Sequence, residues 1–332
     1  MDKASQLLSE RLQTFLLFCK TRSFVETAKQ LGVSQSSVSR QIGTLEELFG
    51  AELVDRTSKP LSPTKDGHLL AQTIETQFEP IKAVIRDIQE HSSQHIPLRI
   101  GLLESLTTEV APKLLAELDS HVGSTLCLTG TCDRLAHKFA SSELDVIIVS
   151  RSFSELKDIR RHFIFGEPSI LMMPSNIAQQ HEKWTWTNLR FCGLPLIRYY
   201  HGSAGQISEH FLNSIGVVPP KTIEVDTTGV MKGLISQSMG WSITRASSLL
   251  PHKETVSSIS LVPMPEPTMK RELYVIAKST FNESLYRRIV SLLLKIFKEG
   301  VVQELLTIAP WVKKQLLIGD ERDPNAQIKI FE

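Results

Sequence analysis

The chain has 332 residues, 41% apolar and 22% charged, which suits about two globular domains with ample core. No run of about 18 apolar residues predicts a membrane span, and the opening MDKASQLLSERLQTFLLFCK lacks the apolar stretch and cleavage site of a signal peptide, so an unexported, cytoplasmic protein is the expectation. The formal net charge of +1 announces no bulk affinity for nucleic acid, so any DNA binding must come from a local face and from several copies per assembly.

Residues 11–20, RLQTFLLFCK, carry apolar residues at helical period. Ser23 follows as an N-cap, with Glu26 as the second half of a capping box. Phe24, Ala28 and Leu31 share a helical face, and Gly32 ends that helix in the left-handed region. Val33 is expected to plug the turn. Ser34 caps the next helix, along which Val38, Ile42, Leu45 and Phe49 recur at 4-3-4 spacing. Two helices joined by a short turn containing Gly form a helix-turn-helix pattern, with the small Ala28 where they cross. A generic helical hairpin is the plainer alternative. Residues 50–64, GAELVDRTSKPLSPT, read as a two-stranded wing, or else as a solvated loop.

From Lys65 to about Ser92 a longer helix is expected. Ala71, Ile74, Phe78, Ile81, Ile85 and Ile88 are spaced 3-4-3-4-3, the pattern of a dimerising coiled-coil seam. An amphipathic helix packed on its own domain is the alternative. Pro80 predicts a kink near residues 76–80, and HSSQHIP (91–97) reads as a linker. Beyond Pro97 apolar strand candidates at 98–103, 125–130, 145–150, 169–174, 194–200, 221–225, 241–244 and 271–277 alternate with helical stretches near 107–119, 132–140, 204–213, 227–238 and 282–299. That alternation predicts a mostly parallel sheet covered on both faces, divided into two α/β lobes with a cleft between them. The tail from about 309 to 332 has no assigned role.

Enzyme signatures are absent: no GxGxxG after a strand, no phosphate loop, no HExxH. His201-Gly202-Ser203-Ala204-Gly205 has its first glycine one position late for a nucleophile elbow, and Ser203 is expected to cap the following helix. The cysteines Cys19, Cys127, Cys132 and Cys192 are scattered, which argues against a zinc site; no metal or cofactor is expected. They read as buried thiols, a sensor pair of Cys127 and Cys132 being the weaker alternative.

The richer chemistry is the polar face of the second helix. Gln35, Ser36, Ser37, Ser39 and Arg40 leave the apolar stripe free. Gln can bind adenine and Arg guanine bidentately in the major groove, and serines at a helix start suit phosphates. A solvated face would hold Glu and Lys instead. Between residues 20 and 65 seven Lys and Arg stand against five Asp and Glu, with Lys20, Arg22, Arg56, Lys59 and Lys65 as phosphate candidates.

The first 65 residues resemble the winged helix-turn-helix of LysR-type transcriptional regulators. The resemblance rests on Phe24, Ala28, Leu31, Val33-Ser34-Gln35, Val38-Ser39-Arg40-Gln41-Ile42, Leu45-Glu46, Leu48, Gly50, Leu53, Arg56 and Thr64 with Gly67, and runs on to about residue 300. It implies an N-terminal all-α winged helix-turn-helix (8–66), a long dimerising linker helix (67–91), and an α/β two-lobed, periplasmic-binding-protein-like effector domain (96–300); residues 301–332 form an extension. It implies DNA contacts at Gln35, Ser36, Ser39 and Arg40, with Arg56 and Thr64 near the wing; the polar face and the wing charge add Ser37 and Lys59. It also implies self-association through Ile74, Phe78, Ile81, Ile85 and Ile88 as a dimer or tetramer. The partners are then double-stranded DNA and a small-molecule effector, an organic anion among the candidates, held by Leu103, Glu104, Ser105, Thr131, Arg198, Tyr199, Ser203, Thr227 and Thr244. Three positions depart from the family pattern: Ser36 stands where proline is frequent, Pro63 where an apolar residue is usual, and Leu103 where Ser or Thr is frequent. Leu103 beside Glu104 loses a hydroxyl and adds negative charge, which points to a larger, less acidic or cationic effector, or to a site that is little used. The rival readings are a solute-binding protein and a cytosolic α/β enzyme; the N-terminal module and the missing acid, base and nucleophile groups oppose them.

Overall fold

The computed structural model describes residues 9–75, 96–200, 202–252 and 257–331. Two compact units are present, one built on residues up to Ser92 and a larger one built on residues from Ser93. In the first, α1 (Glu10–Thr21), α2 (Phe24–Leu31) and α3 (Gln35–Phe49) precede a hairpin of β1 (Val54–Asp55) and β2 (Ser62–Pro63), followed by α4, described over residues 65–75.

Phe15, Phe18, Ala28, Val38, Ile42, Leu45, Leu53 and Val54 close one core. Local signals set the helix ends. Ser23 Oγ accepts from Glu26 N–H (3.3 Å), but the reciprocal half of the capping box does not form, because Glu26 Oε1 accepts from Gln30 Nε2 (3.0 Å). Gly32 takes φ 68° at the C-cap, as a tight helix-to-helix turn requires. Val33 does not plug that turn: its side chain is 41% exposed, and its backbone N–H closes the turn on Ala28 O (3.0 Å). Phe49 also leaves the expected core stripe, since it sits beside the C-cap Gly50 where α3 runs past the core. The wing forms as an antiparallel pair, Val54 opposite Pro63 and Asp55 opposite Ser62, with Pro63 buried. Gly67 fits α4 against it; a Cβ there would lie 2.2 Å from Leu53 O. Of the expected seam, Ile74 is half-buried; Phe78, Ile81, Ile85, Ile88 and Pro80 lie outside the described residues.

The larger unit is built on β3 (Ile96–Leu103), α5 (Ala111–Leu118), β4 (Val122–Gly130), α6 (Cys132–Ala140), β5 (Val146–Val149), β6 (Ile159–Pro174), α7 (Ser175–Ala178), α8 (Trp186–Phe191), β7 (Leu196–Tyr199), α9 (Gly202–Ser214), β8 (Thr222–Val225), α10 (Thr228–Ser236), β9 (Ser242–Arg245), β10 (Ile259–Pro263), β11 (Lys270–Lys278), α11 (Glu283–Ile296), α12 (Val302–Ile308), β12 (Leu317–Ile318) and β13 (Ile328–Lys329). Its main sheet runs β13-β12-β6-β11-β5-β3-β4. Pro97 falls inside β3, at a register shift where a missing N–H is tolerated, and not in a linker.

The sheet is mixed, which corrects the expectation of mostly parallel strands. β3 pairs in parallel with β4 and β5, and β7 with β8, but β6 and β11 run antiparallel to their neighbours. The reason is β6, whose 16 residues cross between the lobes. Its first part, IRRHFIFGEP, carries charge, Gly166 and Pro168, and so does not read as strand. Pairing with β11 ends at Pro168; pairing with β9 and β10 begins at Ser169 and Ile170. One core lies around β3, β5, β11 and α11, and a second, holding Trp184, Leu212 and Trp241, around the far half of β6. The C-terminal tail is part of the first lobe: β12 pairs with Phe165 and Gly166, β13 pairs with β12, and Leu316 is fully buried.

Candidate DNA-reading face and effector cavity

On α3 the apolar stripe Val38, Ile42 and Leu45 is buried, and Gln35, Ser36, Ser39 and Arg40 are exposed together on the opposite side. Ser37 is half-buried beside the cap, where its N–H donates to Ser34 Oγ (3.2 Å). Gly43, half-buried, lies beyond Arg40 on the same helix; a Cβ there would meet nothing within 4 Å. Its absence of side chain, legible only once the face is known, permits close approach. Lys59 is exposed at the wing tip.

Two expected DNA contacts are engaged elsewhere. Arg56 lies fork-to-fork on Glu46, Nη2 to Oε2 at 2.6 Å and Nη1 to Oε1 at 3.3 Å. Glu46 Oε1 also accepts the N–H groups of Leu53 (2.9 Å) and Val54 (3.1 Å), so one carboxylate ties the wing to the end of α3. Burial pushes the Glu46 carboxyl up, but Arg56 and these two N–H groups outweigh it and hold it below its ordinary range. Thr64 Oγ1 donates to Glu52 O (2.7 Å) and accepts from Gly67 N–H (3.1 Å), capping α4.

In the larger unit a cavity of about 630 Å³ opens at the carboxyl ends of β3, β4, β5, β7, β8 and β9. Ligands bind α/β sheets at such strand ends, where helix N-termini and loops converge. Leu103, Glu104, Ser105, Thr131 and Tyr199 line it, together with Asp226, Thr228 and Arg245. Tyr199 Oη is 2.6 Å from Thr228 Oγ1. Three expected contacts, Arg198, Thr227 and Thr244, fall away from the wall. Arg198 is held by Glu209 (3.0 Å) and Glu224 (2.8 Å). Thr227 caps α10. Thr244 is buried in β9, its Oγ1 without a partner among the described residues. Ser203 lies in the first turn of α9, which begins at Gly202 and not after it; its side chain is outside the described atoms.

Sequence reasoning places Ser105 and Arg245 at the cavity but misses Arg271, Glu167 and Ser247 on its floor. Arg271 Nε (3.1 Å) and Nη2 (2.7 Å) reach Glu167 Oε1, Nη1 reaches Ser105 Oγ (3.1 Å), and Nη2 also donates to Ser247 Oγ. Glu167, 2% exposed, further accepts from Ser247 N–H (3.1 Å) and Oγ–H (2.5 Å). Burial pulls Arg245 down to about 10; the Arg271 guanidinium adds to this and Glu167 opposes it. Cys132 also lines the cavity, and burial raises the thiols of Cys127 and Cys132, which opposes the reactive thiolate a sensor needs. The described residues hold no group of His, Cys, Asp and Glu able to bind a metal ion, and no helix long and apolar enough to cross a membrane.

Residues 9–68 match the family model of the bacterial regulatory helix-turn-helix protein, lysR family, and residues 91–297 match the LysR substrate binding domain. The chain therefore belongs to the LysR family, a class of DNA-binding transcriptional regulators that carry an effector-binding domain. It is 24% identical to the regulator BenM of Acinetobacter baylyi over 84% of this chain and 93% of that protein. Identity to the uncharacterized regulator YusT of Bacillus subtilis is 25%, over 83% and 92%. Among solved structures, full-length CbnR in complex with its target DNA shares the fold at TM-score 0.61 and 18% identity, over 86% of this chain and 98% of that one.

Proposed function

We propose that Gln35, Ser36, Ser39 and Arg40 read base edges in the major groove, that Ser37 and Lys59 meet phosphates, and that Arg56 and Thr64 hold the wing in place. The observation that carries this is the segregation on α3: one stripe lies wholly in the core, and the other carries short polar groups and an arginine, with no carboxylate before Glu46. Copies pair through the linker-helix seam and place two reading helices on half-sites a whole number of DNA turns apart. The protein acts in the cytoplasm, where its DNA is.

The cavity between the lobes holds the effector. A ligand there alters DNA binding only through unequal affinity for the two states of the assembly. A thermal-shift screen of small molecules tests this on wild type and on Ser105→Trp, which fills the cavity. Hits are expected to stabilise wild type alone and to change the affinity for operator DNA. Hits that stabilise both proteins equally would remove the cavity from the mechanism.

A further inference from the structure

The cavity floor holds two guanidinium groups and one carboxylate. The charge of Glu167 is committed to Arg271 and to the Ser247 hydroxyl and N–H. Arg245 is left over. It is 8% exposed, lines the cavity, and makes no hydrogen bond or ion pair among the described residues; its Nε is buried without a partner. Ser169, its register partner across β6 and β9, and Thr244 also bury hydroxyls with no hydrogen-bond partner among the described residues. The other cations of the wall are neutralised in place: Arg151 by Glu155 at 2.5 Å, and Lys270 by Glu272 at 2.7 Å. Glu167 offsets its charge without bonding it; a buried cation with no hydrogen-bonded partner is costly, and a carboxylate is the group that matches a guanidinium fork.

We propose that Arg245, backed by Arg271, seats a carboxylate or similar singly charged anionic group of the effector. This rests on the reading of the cavity as the effector site. The same wall carries the exposed carboxylates Glu104 and Asp226, which repel a second negative charge. The ligand is then a monoanion or a zwitterion whose cationic end points outward, and not a dianion. That choice reconciles the acidic Glu104 with a basic floor.

Thermal unfolding of the full chain tests it with four probes of one chain length at constant ionic strength: butyrate, 4-aminobutyrate, succinate and butyramide. Butyrate and 4-aminobutyrate are expected to raise Tm at concentrations at least tenfold lower than succinate or butyramide. Arg245→Gln is expected to lose this response by tenfold or more. Arg245→Met without any probe is expected to melt at the same or a higher temperature, because a buried charge with no bonded partner is removed. A lower Tm for that variant would make Arg245 a structural residue. A response to butyrate that survives in Arg245→Gln, or is matched by butyramide, would overturn the anion seat. Equal binding of succinate would overturn the single-charge assignment. Silence from all four probes would also overturn the seat, whereas the cavity itself stands or falls on the Ser105→Trp screen.

Discussion

Arg40 on α3 and Arg245 in the cavity are the same side chain in opposite settings. Arg40 is exposed, on a short face built from neighbours in the sequence. Arg245 is almost wholly buried, on a floor whose members are brought together across as many as 166 residues. In the proposed reading, the first keeps its water until DNA arrives and adds discrimination among bases. The second is already stripped of water, so each nearby charge counts for more and errors are penalised in stability. Surface recognition is cheap to carry and weak alone; buried recognition is strong and must be balanced.

The sharpest way to break that contrast is Glu167→Ala. It leaves Arg271 and Arg245 buried with no carboxylate and is expected to cost about 3–5 kcal/mol in urea unfolding. A loss near zero would mean that the floor is hydrated like the surface. Glu46→Ala sits between the two settings, since it strands the N–H groups of Leu53 and Val54 and is expected to cost about 1–3 kcal/mol. Its pH dependence has a definite sign. The folded carboxyl lies below the unfolded value of about 4.3, so its stabilisation is present above that pH and is lost as pH falls through the lower folded value. Hydrogen exchange at the Leu53 and Val54 amides is expected to accelerate there, and in Glu46→Ala to be fast at every pH.

Arg40→Ala is expected to leave the unfolding midpoint unchanged and to lose about 1–3 kcal/mol on specific DNA while sparing random DNA. Equal losses on both would make Arg40 a phosphate contact. Gly43→Ala is the smallest effect: about 0.5–1 kcal/mol more stable to unfolding, from better helix propensity, with weaker specific binding wherever DNA approaches the helix closely.

The same contrast explains what the sequence disclosed. The reading helix was legible because helical period, caps and Gly32 are local signals carried by adjacent residues. The strands of the lobes were legible as apolar runs, and most strand-end residues of the cavity, such as Ser105 and Thr131, followed from them. The first half of β6 was not, because Gly166, Pro168 and its charges suppress the strand signal exactly where the strand changes sheets; Glu167 sits among them and was lost with it. Arg271 read as an ordinary strand-start cation, since nothing local ties it to Ser105 or Glu167. Arg198 was an error of the opposite kind: its position at a strand end is right, but Glu209 and Glu224 hold its side chain.

The central claim is that the exposed face of α3 reads sequence in paired copies. Genome-wide footprinting with purified wild-type protein and Arg40→Ala tests it most directly. The account predicts a limited set of wild-type sites, each with two half-sites separated by a multiple of about 10–10.5 base pairs, and their disappearance in Arg40→Ala. Uniform occupancy without paired half-sites, or an unchanged site list in the variant, would contradict it.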